Sequence, residues 1–245
     1  KYRQQLVESG LRQNTVKNHL GALRTCLRWA LKTGLIGGPL PDIPCLPRRR
    51  RETLPTLEEI SRLLDAARPD VRDVLETLLN IAVRPGDCFA LRRNWVDLDN
   101  NLLRLEDSKT GPRLVCLVPQ AAPILARRLC ACANPNDFVF TTVRGRPWDL
   151  RYFGEQVRKA RQKAKLGSHA TAYALRHVWT TNAFLRGLDL ATVKELRGDK
   201  DIRTTTTYLH LASHLGHLQR AARQAVGPFP AGEQCTAPNR QGGCE

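Results

Sequence analysis

The interpretation of this sequence depends most on residues 173–208, which read YALRHVWTTNAFLRGLDLATVKELRGDKDIRTTTTY. The spacing of their apolar residues predicts two helices, over 173–187 and 189–197, with Gly187 close to the break between them. Arg176 lies in the first predicted helix, and Tyr208 follows it by 32 residues. This stretch therefore combines a helical framework with side chains that can take part in chemistry.

Helical periodicity continues on both sides of this stretch. Thr56-Leu57-Glu58-Glu59 has the spacing of a capping box, which favours a helix start. Asn14 or Thr15 can cap an earlier helix, and Gly34 can end it. Further helices are predicted over residues 13–33, 71–82, 119–132, 149–165 and 212–225.

A change of period interrupts the helices in the middle of the chain. Leu102–Glu106 and Arg113–Val118 are short apolar-rich runs on either side of Lys109-Thr110-Gly111-Pro112. Two such runs around a glycine- and proline-containing turn are typical of a β-hairpin. We therefore predict a mainly α fold with a small antiparallel β-sheet.

The chain divides into four segments by composition. A basic linker rich in proline and glycine is predicted over residues 41–52, and it includes Arg48, Arg49, Arg50 and Arg51. Residues 1–40 before it are expected to be part of a helical domain. Residues 53–226 are expected to be the catalytic domain, and 227–245 a flexible tail. Because the sequence contains no methionine, we expect it to be a fragment of a longer protein.

Charge limits the classes of partner. The chain has 245 residues, 39 Lys and Arg against 23 Asp and Glu, and a formal net charge of +16. With 42% hydrophobic residues it can bury a core, so the excess positive charge must lie on the surface. A polyanionic partner is expected, with nucleic acid favoured over an anionic membrane. No apolar run approaches the roughly 20 residues that span a bilayer, so a soluble, cytoplasmic, nucleoid-associated protein is expected.

Basic residues are dense over 144–165, where they suit contacts to DNA phosphates. The alternative is an ordinary solvated helix face. Together with the linker arginines and the overall charge, this density favours double-stranded DNA. The candidate DNA-binding residues are Arg48, Arg49, Arg50, Arg51, Arg144, Arg146, Arg151, Arg158 and Lys159.

The sequence indicates no cofactor and no metal centre. Its eight cysteines have spacings that fit no zinc finger or ribbon, and we expect reduced thiols. Zinc held by Cys235 and Cys244 in the tail stays an alternative. Metal-dependent DNA cleavage would need clustered carboxylates, and no clear set is present.

Three segments, taken together and in this order, resemble the tyrosine recombinase (phage integrase) family. The first runs from Val83-Arg84-Pro85-Gly86-Asp87 to Leu98, and the second is Asp107-Ser108-Lys109-Thr110-Gly111. The third is the stretch quoted above. The resemblance extends to about residue 226 and implies a recombinase catalytic domain preceded by part of a helical, SAM-like core-binding domain.

The resemblance implies a role for each matching residue. Arg84 and Arg176 would hold the non-bridging oxygens of a DNA phosphate, because guanidinium groups are planar donors that keep their charge. Lys109 would protonate the leaving oxygen, and Tyr208 would be the nucleophile. The alternatives are a salt-bridged surface arginine, an exposed hairpin lysine and a half-buried helix tyrosine.

Two positions depart from the family pattern. Tyr173 stands where a histidine is usual, and it can still donate a hydrogen bond to phosphate; the neighbouring His177 is expected to pack. Asp199 replaces the usual histidine or tryptophan donor and would place a negative charge beside an anion. Either Asp199 points away and pairs with Arg197 or Arg203, leaving a slower enzyme, or the catalytic site has decayed.

We expect a site-specific DNA recombinase that works through a 3′-phosphotyrosyl intermediate, with an activity that Asp199 could weaken. The alternative is a catalytically impaired relative that binds DNA, and a basic protein–protein adaptor is the third class. By resemblance, the working assembly would be a homotetramer on two paired sites, and the segment after about residue 211 could pass to a neighbouring subunit.

Overall fold

A computed structural model describes residues 1–46 and 53–206. The chain forms two compact units, Lys1–Glu52 and Thr53–Glu245. Several predictions lie outside the described residues. They concern the helix over 212–225, the tail over 227–245, the cysteines of the tail, and the roles of Arg48, Arg49, Arg50, Arg51 and Tyr208.

The first unit contains two helices, α1 (Tyr2–Glu8) and α2 (Gln13–Lys32). Helix α2 buries Val16 and Leu20, and it ends before Gly34, whose φ of +73° suits glycine. The predicted cap was wrong, because α2 begins one residue before Asn14 with Arg12 at the N-cap and no side-chain cap bond.

The second unit opens with two helices that pack against each other, α3 (Leu57–Ala66) and α4 (Pro69–Asn80). The predicted capping box is present: Glu59 N donates to Thr56 Oγ1 at 3.2 Å, and Thr56 N donates to Glu59 Oε2 at 2.9 Å. Helix α4 starts two residues earlier than predicted, because Pro69 occupies its first position.

A short helix, α5 (Pro85–Ala90), and a 3-10 turn lead into a three-stranded antiparallel sheet. The strands are β1 (Val96–Asp97), β2 (Leu102–Leu105) and β3 (Arg113–Cys116), in the order β1-β2-β3. The predicted hairpin is β2–β3, with Leu103 opposite Val115. Since Leu103, Leu105 and Val115 are buried, one face of the sheet covers the core.

Five further helices complete the described part of this unit: α6 (Ala122–Leu129), α7 (Leu150–Lys163), α8 (Ala172–Leu185), α9 (Leu190–Arg197) and α10 (Ile202–Thr206). Helix α8 packs against α4 and has eight buried residues, whereas α7 buries one face against α3 and α4. Phe89, Trp148 and Phe153 form an aromatic cluster, with Phe153 5.0 Å from Phe89 between ring centroids. The predicted fold class, mainly α with a small antiparallel sheet, is confirmed.

No described helix is long and apolar enough to cross a membrane. The described cysteines are free thiols, and no group of His, Cys, Asp and Glu in the described ranges could hold a metal ion.

Asp70 is a buried carboxylate that ties the start of α4 to the loop before α7. Its oxygens accept hydrogen bonds from Val143 N at 3.0 Å, from Arg68 Nη2 at 2.8 Å and from Val71 N at 3.1 Å. We expect Asp70→Ala to lower the free energy of unfolding by about 1–3 kcal/mol, since it removes several hydrogen bonds to a charged, buried acceptor, including that from Val143 N. Urea denaturation measures this loss.

The matched control for Asp70 is Asp65→Ala. Asp65 is an exposed carboxylate whose contact with Arg72 is 3.4 Å long. Exposed ion pairs contribute about 0–1 kcal/mol, so this change should alter stability by less than about 1 kcal/mol. Equal losses for the two variants would contradict a structural role for Asp70.

Candidate active site

Arg84 and Arg176, 92 residues apart in the sequence, meet on a single carboxylate oxygen. Arg84 Nη2 donates to Asp199 Oδ1 at 3.1 Å, and Arg176 Nη2 donates to the same oxygen at 3.3 Å. Arg84 lies immediately before α5 and Arg176 in the first turns of α8, so the packing of these helices places both guanidinium groups around one point.

Arg176 is almost completely buried, with 1% of its surface exposed. It donates to the backbone oxygen of Ala82 and, at 2.8 Å, to that of Arg197. Burial, reinforced by the charges of Arg197 and Arg84, lowers the pKa of Arg176 to about 10. It therefore stays charged at neutral pH. Its Nε is buried without a hydrogen-bond partner among the described residues.

Lys109 is exposed at the tip of the β2–β3 hairpin, and the residues on either side of it reach the arginine site. Ser108 Oγ donates to Asp87 Oδ1 at 3.3 Å, and Arg84 Nη1 donates to Thr110 Oγ1 at 3.4 Å. These contacts hold the turn beside Arg84. An exposed ammonium on such a turn can approach a phosphate held by that arginine.

The structure adds two residues that sequence reasoning missed. Asp87 is buried and accepts from Arg84 N at 3.1 Å and from Arg113 Nη2 at 3.2 Å. Its position three residues after Arg84, at the start of a helix, is a capping-box spacing that could have indicated it. Arg113 had no such indication, because one residue of a short strand does not reveal which face it occupies.

Arg113 lies over Gly198, where the chain turns between α9 and Asp199. A Cβ atom at Gly198 would lie only 2.5 Å from Arg113 Nε, and its φ of +63° is left-handed. Burial lowers the pKa of Arg113, although the charge and hydrogen bond of Asp87 oppose the change. Glycine is thus required here both for its backbone angle and for the space that Arg113 fills.

Asp199 does not point away from the site. It pairs with Arg197, whose Nε donates to Oδ2 at 2.7 Å, whereas Arg203 pairs with Asp201 instead. Burial alone raises the pKa of Asp199, but the hydrogen bond from Arg197 and the charges of Arg197 and Arg176 outweigh it and hold that pKa below its ordinary value. Asp199 is therefore ionised at neutral pH.

Of the two tyrosines predicted to act in the site, the structure describes Tyr173 but not Tyr208. Tyr173 is the second residue of α8 and is 47% exposed, and its ring packs edge-on against His177 at 4.8 Å between centroids. Its predicted contact with phosphate stays a prediction. Tyr208 lies outside the described residues. The described chain reaches Thr206, and Thr205 Oγ1 donates to Asp199 Oδ2 at 3.1 Å.

The candidate DNA-binding residues of this unit are all exposed. Arg144 and Arg146 occupy the loop before α7, while Arg151, Arg158 and Lys159 lie on α7 itself. Arg151 is in weak contact with Glu155, at 3.6 Å. Exposed basic side chains of this kind are available to neutralise phosphates.

Comparison with known proteins gives a consistent picture. The model of the phage integrase family matches residues 55–214. Tyrosine recombinase XerA of Saccharolobus solfataricus is 26% identical over 200 residues, covering 80% of this chain and 63% of the relative. XerD of Pseudomonas aeruginosa is 26% identical over 84% of this chain and 74% of its own length. XerC of Corynebacterium efficiens is 28% identical, over 89% of this chain and 74% of its own length. The chain thus spans somewhat less than two thirds of the first of these relatives.

Solved structures share the fold. The crystal structure of XerA recombinase superposes with a TM-score of 0.58 at 21% identity, covering 93% of this chain and 82% of that one. The Tn1549 transposon integrase in complex with circular intermediate DNA superposes with a TM-score of 0.73 at 16% identity, covering 91% of this chain and 84% of that one. A lambda integrase dimer bound to a core site superposes with a TM-score of 0.67 at 16% identity, covering 84% of this chain and 76% of that one.

Proposed function

Because the chain belongs to the phage integrase family, we propose that it is a site-specific DNA recombinase that cuts and rejoins DNA through a 3′-phosphotyrosyl intermediate. The observation that carries this proposal is the meeting of Arg84 and Arg176 on one carboxylate oxygen. A pair of charged guanidinium groups converging on one anionic oxygen is suited to a phosphodiester, which is itself an anion.

In the proposed step, the phenolic oxygen of Tyr208 attacks the scissile phosphorus. The new phosphorus–oxygen bond joins Tyr208 to the 3′ end of the strand, and the bond from phosphorus to the 5′ oxygen breaks. The phenol gives up its proton to solvent, since a phenol of pKa about 10 must be deprotonated to attack. Lys109 gives a proton to the leaving 5′ oxygen. The ester is conserved, so the reverse attack by a 5′-hydroxyl rejoins DNA without ATP.

Arg84 and Arg176 stabilise the charge that builds up on the non-bridging oxygens during this attack. Burial and the hydrogen bonds that its side chain donates to backbone oxygens keep Arg176 fixed, so little reorganisation is needed as the charge develops. Arg84 is the more exposed of the two, with 19% of its side chain accessible, and is therefore the one that a DNA phosphate can reach more easily.

Double-stranded DNA is the proposed partner. Arg144, Arg146, Arg151, Arg158 and Lys159 would hold its backbone without taking part in the chemistry. Residues 1–40 are proposed to be part of a core-binding domain and 41–52 a basic linker, with the chain acting as a homotetramer on two paired sites in the nucleoid. If affinity for duplex DNA does not fall as salt rises, this electrostatic interface is wrong.

Covalent trapping tests the proposed function even while the target site is unidentified. A pool of nicked duplexes, randomised around the nick, is incubated with the protein. Cleavage close to the nick releases a short fragment, which prevents rejoining. A covalent complex that survives denaturation, with one sequence enriched in it, is the expected result. Retained DNA binding without any covalent complex would instead indicate the non-catalytic relative.

Replacing Lys109 by Ala is expected to slow single-turnover cleavage of a recovered target about 10²–10⁴-fold, the usual contribution of a general acid. A substrate with sulfur at the bridging 5′ position should remove most of this loss, because a thiolate leaves without protonation. Cleavage rates of both substrates by the wild-type protein and the variant measure the effect. An equal loss on both substrates would contradict the role of Lys109 as the acid.

A further inference from the structure

Asp199 is held by four hydrogen bonds from side chains. Its Oδ1 accepts from Arg84 Nη2 and Arg176 Nη2, while its Oδ2 accepts from Arg197 Nε at 2.7 Å and from Thr205 Oγ1 at 3.1 Å. Its backbone N donates to Lys194 O at 3.2 Å. A carboxylate with both oxygens engaged and a fixed backbone has little freedom to move, so it can serve as a reference point for the groups that bind it.

Arg197 is as buried as Arg176, with 1% of its surface exposed. It ends α9, donates to Thr180 Oγ1 as well as to Asp199, and its backbone oxygen accepts from Arg176 at 2.8 Å. Gly198 then turns the chain in the left-handed conformation. Arg197 and Asp199 therefore face each other across a tight turn, and both contact Arg176.

The charged side chains around Asp199 show what Arg197 and Asp199 together contribute to the site. Six charged side chains form this cluster, and they are Arg84, Arg113, Arg176, Arg197, Asp87 and Asp199. Four cations and two anions leave a net charge of +2. Without Arg197 and Asp199, three cations and one anion also leave +2. The pair adds a carboxylate at the centre of the site without changing the net charge that a phosphate would meet.

The hydrogen bonds to Asp199 leave further donors on both arginines. A guanidinium has five N–H donors. Arg176 uses three, on Ala82 O, Arg197 O and Asp199, and Arg84 uses three, on Thr110, Gly198 O and Asp199. Two donors on each therefore lack a partner within the described ranges. Those of Arg84, whose side chain is 19% exposed, can meet a phosphodiester without displacing Asp199, whereas those of Arg176 are buried in this structure.

We propose that Arg197 and Asp199 form one positioning unit, in which Asp199 holds the guanidinium groups of Arg84 and Arg176 together and Arg197 neutralises its charge. This inference rests on the proposed recombinase function and concerns the same site. The unit accounts for a carboxylate at a position where the family usually has a donor to the phosphate. Asp199 orients the guanidinium groups of Arg84 and Arg176, which are the donors to the phosphate. Neither Asp199 nor Arg197 needs to touch the substrate.

The test removes the whole unit. In the double variant Arg197→Leu with Asp199→Ala, one cation and one anion are lost together, and the buried Arg176 keeps its hydrogen bonds to the backbone oxygens of Ala82 and residue 197, so the protein is expected to fold. DNA affinity should change less than threefold, because the net charge is preserved. Single-turnover cleavage of a recovered target should fall about 10–100-fold. A double variant as fast as the wild-type protein would contradict the positioning role, and a faster one would show that Asp199 competes with phosphate.

Two further measurements separate positioning from a general loss of structure. A methylphosphonate at the scissile position lacks one charged non-bridging oxygen, so the arginines have less charge to stabilise and the deficit of the double variant should shrink on it. A purely structural defect would persist equally on both substrates. Arg197→Lys, which keeps the charge but not the planar geometry, should cleave at a rate between those of the wild-type protein and the double variant.

The control removes another ion pair, between the buried Asp73 and the partly buried Arg128, by Asp73→Ala and Arg128→Leu; the second partner of Asp73, Arg127, is exposed. This pair joins α4 to α6 away from the site. Its loss should alter stability but not the cleavage rate of folded protein. If the wild-type protein forms no covalent complex, the proposed function fails and this inference with it. If the wild-type protein cleaves and the double variant is equally fast, only the positioning unit is wrong.

Discussion

Replacing Arg176 by Lys is expected to slow covalent complex formation about 10²–10³-fold, while the protein still binds DNA. The loss follows from geometry, since a lysine ammonium cannot reach Ala82 O, Arg197 O and Asp199 at the same time as a phosphate. Removing one fixed donor to a developing charge typically has an effect of this size. Single-turnover cleavage of a recovered target measures it.

Arg72→Lys is the matched control for this substitution. Arg72 pairs with Glu76 on the surface of α4, where a lysine can replace it at little cost. Its cleavage rate should stay within about twofold of the wild-type rate. The role assigned to Arg176 would be contradicted by an R176K protein that is folded, binds DNA and cleaves as fast as the control.

Replacing Tyr208 by Phe is expected to abolish the covalent complex. The substitution removes a single oxygen, and without it no bond to phosphorus can form at this residue. No partial activity is expected, because the loss concerns the nucleophile itself rather than its environment. DNA binding should stay within about twofold of the wild-type affinity, since phosphate contacts elsewhere supply most of it. Gel electrophoresis under denaturing conditions detects the complex.

Two other tyrosines provide controls for Tyr208. Tyr2→Phe alters an exposed ring in α1 of the first unit and should leave covalent complex formation unchanged. Tyr173→Phe alters the exposed tyrosine in α8 and should reduce the rate without abolishing the complex. A Y208F protein that still forms the complex would transfer the role of nucleophile to another residue.

Secondary structure was predictable from the sequence where local signals were strong. The capping box at Thr56 and Glu59 and the hairpin around Lys109 are present as predicted. The short helices α5 and α10 and the strand β1 were missed, because runs of six, five and two residues are too short for periodicity to show. Helix α2 begins at residue 13 as predicted, but its capping residue was misassigned, because Arg12, which is a poor capping residue, occupies the N-cap.

The arginine cluster shows why a single sequence reveals only part of a site. Arg84 and Arg176 were identified by the motifs around them, whereas Arg113 and Asp87 enter through packing between the sheet and α5. The position of Asp199 was open at the sequence level because an aspartate beside several arginines has several partners available. Only the turn at Gly198 and the burial of Arg197 decide which of them it binds.

The most direct test of the central claim is to identify the residue to which DNA becomes attached. Covalent complexes from the randomised pool are digested with nuclease and trypsin, and the modified peptide is sequenced by mass spectrometry. Attachment of a nucleotide 3′-phosphate to Tyr208 is the predicted result. Attachment to Tyr173, to a serine or to any other residue, or the absence of a covalent complex on every duplex in the pool, would contradict the account.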